Sequence, residues 1–155
     1  MPQIVKGGKY VFGWSKVGTD GKIVIPPEAA EEYNLTTCTK VIVIPGSKSS
    51  GGFGLTTVER LQNTPLVGIA NVFSQADVHI PEAKVVEING RLCCWVELHD
   101  NSITIPEETL KNYGVNPGDL LLSVRGSHVN YLNRITKKGR KILPIQEQVS
   151  LALHQ

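Results

Sequence analysis

Cysteine is scarce in this chain: three in 155 residues, two of them adjacent at Cys93 and Cys94. An odd number, with neighbours that would alternate across a strand, cannot build a disulfide framework. Cys38, Cys93 and Cys94 are therefore expected to be reduced, buried thiols of a cytosolic protein. A surplus of one charge is also missing, since 16 Lys/Arg meet 14 Asp/Glu for a net +2. The two halves share that surplus evenly, which excludes a strong global pull on nucleic acid and leaves room only for a local basic patch. Long hydrophobic runs are absent as well. The longest mainly apolar stretch, Leu66 to Phe73, is too short to span a bilayer, and the opening MPQIVKGGKY lacks the apolar centre of a signal peptide. A soluble, cytoplasmic protein with no membrane partner is expected.

The usual chemistry-bearing constellations are missing too. His79, His99, His128 and His154 show no metal-ligand spacing with one another or with cysteine, so no metal is expected. The run Gly46-Ser47-Lys48-Ser49-Ser50-Gly51-Gly52 lacks the Gly-x-x-x-x-Gly-Lys-Ser/Thr spacing of a phosphate loop and reads as a hairpin tip. No repeated element assembles a Ser/His/Asp or Cys/His set. The sequence argues for neither an enzyme nor a cofactor.

What the chain does have is a repeat. Ile23 to Ser47 reads IVIPPEAAEEYNLTTCTKVIVIPGS, and Ile103 to Ser127 reads ITIPEETLKNYGVNPGDLLLSVRGS, at a gapless offset of 80. Seven of 25 positions are identical, where ordinary residue usage gives about one or two by chance. A copied unit of this length must be read before anything else. A hairpin precedes each copy, signalled by Gly7-Gly8 and by Asn89-Gly90. The turns differ by 82, Trp14 and Trp95 by 81, and Asp20 and Asp100 by 80. Two single-residue slips predict a bulge or an altered loop in one copy.

After the hairpin come a turn and the β-branched Ile-x-Ile, closed by Pro26 or Pro106. The proline opens a short helix with glutamates near its N-terminus and Ala29, Ala30 and Tyr33, or Leu110 and Tyr113, facing inward. Asn34 and Gly114 suit the left-handed stop. Strands Lys40–Ile44 and Leu120–Val124 follow, then weaker ones at Phe53–Thr57 and His128–Leu132. Short helical turns are expected at Val58–Leu61 and Thr136–Arg140. The repeated Trp14, Trp95, Tyr33 and Tyr113 read as core. These readings give repeat one over 2–64, a connecting segment with helical spacing over 65–82, repeat two over 83–143 and a helical tail over 144–155. Halves this small are individually marginal and are expected to bury their apolar faces against each other.

Turn, Ile-x-Ile-Pro, two-turn helix, Gly-x-x-Pro-Gly-Asp and strand together resemble the AbrB/MazE/SpoVT family of prokaryotic DNA-binding regulators and antitoxins. Copy two carries the pattern in Asn101-Ser102-Ile103-Thr104-Ile105-Pro106 and in Tyr113-Gly114-Val115-Asn116-Pro117-Gly118-Asp119. Copy one keeps Asp20-Gly21-Lys22-Ile23-Val24-Ile25-Pro26 but has Thr36-Thr37-Cys38-Thr39 in place of Lys-Pro-Gly-Asp. The resemblance implies a mainly β fold with short helices: a tandem swapped-hairpin β-barrel with pseudo-two-fold symmetry, in which the copies exchange hairpins. It also implies double-stranded DNA as partner, gripped by basic side chains on the arms before Ile-x-Ile-Pro, with homodimers or higher homo-oligomers and a protein partner left open. By position the arm residues are Lys6, Lys9, Lys16 and Lys22. A second basic run, Arg134, Lys137 and Lys138, is dense enough to attract a polyanion. In copy two Ser102 replaces Lys22, and the 80-residue offset sets Glu97 opposite Val17. The alternative is an interaction or assembly module, antitoxin-like or a degenerate barrel, that kept the fold and lost the arm.

Overall fold

A computed structural model describes residues 3–4, 10–37, 40–46, 51–75 and 79–135. The expectations for Gly7-Gly8, Cys38, the 47–50 tip, Thr136–Arg140 and the tail after Pro144 lie outside these residues.

The first half runs β1 (Gln3–Ile4), β2 (Tyr10–Lys16), β3 (Lys22–Val24), α1 (Pro27–Glu32), a 3-10 turn (Leu35–Thr37), β4 (Val41–Pro45), β5 (Gly52–Thr56) and α2 (Val58–Leu61). Helix α3 (Val67–Ser74) lies in the connecting segment. The second half repeats the order with β6 (Val86–Ile88), β7 (Arg91–Val96), β8 (Ser102–Thr104), α4 (Glu107–Leu110), a 3-10 turn (Lys111–Tyr113), β9 (Leu120–Arg125) and β10 (Asn130–Arg134). The fold is mainly β and antiparallel. Eight strands form one sheet in the order β1-β2-β9-β10-β5-β4-β7-β6, and β3 pairs with β8 in a separate two-stranded ribbon.

That order follows from a strand exchange between the halves. Strand β2 of the first half pairs with β9 of the second, while β7 of the second half pairs with β4 of the first. The exchange turns about the ribbon, where Ile23 stands directly opposite Ile103, Lys22 opposite Thr104 and Val24 opposite Ser102. At an offset of 80 this register maps onto itself when the halves are interchanged, so a local pseudo-dyad passes between the two isoleucines. The flanking bonds obey it: the Ile25 N–H donates to Asn101 O at 2.7 Å and the Ile105 N–H to Gly21 O at 3.0 Å. Gly21, at φ +85°, has no room for a side chain, because a Cβ there would lie 2.0 Å from Ile105 O. Its counterpart Asn101 reaches the left-handed region at φ 63°.

The slips in the repeat now have structural causes. Trp14 pairs with Leu122 and Trp95 with Ile42, which are repeat counterparts, so the arms correspond at an offset of 81. Between Val11 and Gly13 the register shifts, leaving Phe12 as an extra residue of a bulge. The first arm also turns through Gly18 to Lys22. The second turns between His99 and Ser102, with Asp100 and Asn101 both at positive φ (50° and 63°) as a tight primed turn requires. One residue fewer in that turn moves Glu97 into correspondence with Lys16, and Val17 into correspondence with Leu98. The offset of 80 that set Glu97 against Val17 applies from Gly21 onward.

One core serves both halves. Ile23, Ile25, Ala29, Ala30 and Tyr33 are buried with Ile103, Ile105, Leu110 and Tyr113 in the same cluster. Each β-branched pair supplies one inward side chain per two residues, and proline ends the strand so that the short helix folds back over it. On the outer face of β4 and β7, α3 buries Ile69, Ala70 and Phe73 against Ile42, Ile44 and Cys93. Cys93 thus faces the outer cluster and Cys94 the inner core, as strand alternation requires. The tryptophans are only half-buried, each packed against a satellite cluster.

Candidate nucleic-acid interface

Of the seven basic residues expected to meet DNA, Lys16, Lys22 and Arg134 are described, and Lys6, Lys9, Lys137 and Lys138 lie outside the described residues. Lys16 ends β2 and Lys22 opens β3, and both are exposed. The turn between them is held by the Gly18 N–H donating to Lys22 O at 2.9 Å and by the Lys22 N–H donating to Asp20 Oδ1 at 3.0 Å. The Ser15 hydroxyl donates to Val24 O at 2.7 Å and ties the ribbon to the arm. Beside Lys22 the ribbon exposes Thr104 and Val24, the latter 55% accessible.

Arg134 does not join this group. Lys16 and Ile135 both pair with Leu120, whereas Ser15 and Arg134 both pair with Leu121. Successive rows of a sheet face opposite sides, so Arg134 and Lys16 are separated by the sheet. The Arg134 guanidinium is also engaged, with Nε 3.2 Å from Asp119 Oδ2.

The second arm carries different chemistry. Glu97, at the place of Lys16, has Oε1 3.1 Å from His99 Nε2, and its N–H donates to Glu82 Oε2 at 2.8 Å. Ser102, at the place of Lys22, is buried and its hydroxyl donates to His99 O at 2.7 Å. Over residues 2–22 four lysines oppose Asp20 alone. Over 82–102, Glu82, Glu87, Glu97 and Asp100 outnumber Lys84 and Arg91.

An aromatic and ionic cluster that sequence reasoning missed anchors the first arm. The Arg125 guanidinium lies 4.1 Å from the Tyr10 ring centroid and 5.6 Å from that of Phe12. It donates from Nε and Nη2 to the two carboxylate oxygens of Glu32 at 2.7 and 2.6 Å. The Tyr10 hydroxyl donates to Glu28, a bond that raises its pKa. The Tyr33 hydroxyl donates to Gly126 O at 2.6 Å and accepts from the Gly126 N–H at 3.0 Å, while burial raises its pKa. Glu32–Arg125 and Tyr33–Gly126 each span 93 residues and Tyr10–Glu28 spans 18, and nothing in the local pattern signals them. Basic and aromatic side chains interleave here, but they bind one another.

Among the described residues no three His, Cys, Asp or Glu side chains gather in a way that could hold a metal ion. No helix among them is long and apolar enough to cross a membrane. No family model matches this sequence, no curated protein matches it, and no solved structure matches its fold.

Proposed function

We propose that this chain is a tandem swapped-hairpin protein of the AbrB type: a cytoplasmic, non-catalytic transcriptional regulator that binds duplex DNA chiefly through its first arm. The observation that carries the reading is the strand exchange about the Ile23–Ile103 pair, with β2 on β9 and β7 on β4. Pairing of that kind between the halves supports the swapped-hairpin reading of the repeated turn, Ile-x-Ile-Pro and short-helix pattern. On that frame Lys16 and Lys22 are exposed at the ends of one turn, where two ammonium groups on a supported ribbon can neutralise neighbouring phosphates. The acidic second arm repels phosphate, so contact is one-sided and the preferred site is an imperfect or half-length palindrome.

The test is a salt titration of binding to duplex DNA. Lys22→Ala should weaken binding and flatten the dependence of log K on log salt by about one unit, the signature of one lost phosphate contact. Ser102→Ala should change neither. Equal losses from both substitutions would overturn the asymmetry. A second reading, an assembly module with no DNA binding, is favoured by one observation: Glu97, Glu82 and Asp100 line the arm that should be the second reading head. Wild-type protein with no salt-sensitive DNA binding would establish it.

A further inference from the structure

A groove on the sheet is left unused by the DNA reading. Across the sheet Ile44 stands opposite Gly54, Gly54 opposite Tyr131, and Tyr131 opposite Val124, so the repeat counterparts Ile44 and Val124 share a single row that Val11 continues. The groove over that row has a volume of about 490 Å³; Ile44 and Val124 are buried at its floor, and the half-buried Pro45, Leu66, Tyr131 and Asn133 line it with Arg91 and Arg125. Volumes of this size accommodate small molecules. Arg125 already donates from two nitrogens to Glu32. Arg91 is exposed, and among the described residues no hydrogen bond or ion pair engages its guanidinium, the Tyr131 hydroxyl or the Asn133 amide.

A guanidinium with no carboxylate partner, beside apolar surface and two free polar groups, suits one kind of ligand. Its fork offers paired donors to a phosphate or carboxylate, and the half-exposed apolar side chains beside it gain by being covered by a flat body. We propose that this groove binds a small amphiphilic anion, with its phosphate or carboxylate on Arg91 and its planar body against Pro45, Leu66 and the Tyr131 ring. Arg91 belongs to the second arm, so the ligand would touch that arm directly and would lie beside Arg125, which stacks on Tyr10 of the first.

The experiment is isothermal titration of the full chain with adenosine 5′-monophosphate and with indole-3-acetate, two planar anions that differ in the head group. Inorganic phosphate and acetate serve as bodiless controls. One of the two probes should bind with Kd below about 1 mM and at least about tenfold more tightly than its bodiless control. Competition of inorganic phosphate and of acetate against the bound probe identifies the head group. Arg91→Ala should weaken that probe by about tenfold or more, as the loss of a charge-assisted bidentate contact requires. Asn133→Ala, at a half-buried position in the same groove, should weaken it less. Absence of binding by both probes at about 5 mM, or an Arg91→Ala protein that binds like the wild type, would overturn the proposal. No DNA enters the measurement, so that failure would leave the DNA reading standing.

Discussion

The two arms pair with the same strand of the opposite half, in the same register at their tryptophans, yet they share almost no surface chemistry. Arm one is lysine-bearing and stacks Tyr10 and Phe12 on Arg125; arm two is acidic on balance and has no such cluster among the described residues. At the equivalent place in the other half Pro45 replaces Arg125 and Asn112 replaces Glu32. Tyr113 donates instead to Leu92 O at 3.0 Å, and an opening of about 260 Å³ is left beside Gly46 and Asn112. What the two copies share is the pairing of strands across the halves and the apolar pair at the ribbon, while the polar sites differ. A duplicated unit need keep only what is buried.

The comparison predicts that perturbing the shared centre costs the same from either side. Ile23→Ala and Ile103→Ala should each destabilise by about 3 kcal/mol, since each truncates a fully buried isoleucine in a packed cluster. Urea denaturation of both variants checks this, and unequal costs would mean that the dyad is not shared. Both should unfold in one transition, because a single core spans the halves. A first or second half folding stably alone would break that picture.

Alkali should expose a difference instead. Burial pushes the Cys93 thiol up to about 12 and the Cys94 thiol up to about 11, and it raises the buried Tyr113 hydroxyl far above its usual range. From about pH 9 the unfolded chain releases thiol protons that the folded state still holds, so stability falls as pH rises towards these folded values. The arm-one counterparts Val11 and Gly13 cannot titrate. Cys93→Val, which copies Val11, should therefore reduce the loss of urea midpoint between pH 8 and pH 11; an unchanged loss would assign the lability elsewhere.

Smaller effects come from the surface. Arg125→Ala should lower the thermal midpoint only slightly, because the Glu32 pair is substantially exposed and screened, and much of its worth is the stacking on Tyr10 and Phe12. The matching change Pro45→Ala removes no such contact and should cost less; equal costs by thermal denaturation would show that the cluster does not anchor the arm. Least of all in stability, but informative for DNA, Glu97→Lys should move arm two towards arm one. The salt slope for DNA binding should steepen by about one unit if the added charge meets a phosphate, and an unchanged slope would confine binding to arm one.

By itself the sequence determined the repeat, the strand and helix order, the inward side chains and the presence of two slips between the copies. Those properties are local: alternation, proline at a helix start and glycine or asparagine at left-handed positions act within a few residues. The 3-10 ending of the second helix and one- or two-residue shifts in the strand bounds were the local errors, and they fall where end effects compete. Only the tertiary structure decided which strand pairs with which. It put Ile23 against Ile103, traced one slip to the Phe12 bulge and the other to the turn at Asp100-Asn101, and matched Glu97 with Lys16. It also separated Arg134 from Lys16 by a sheet and gathered Arg125, Glu32, Tyr10 and Tyr33 from across the chain. A periodic pattern says which face a residue takes, whereas a contact between distant residues depends on how the halves exchange strands, and that is settled by burial of the whole core at once.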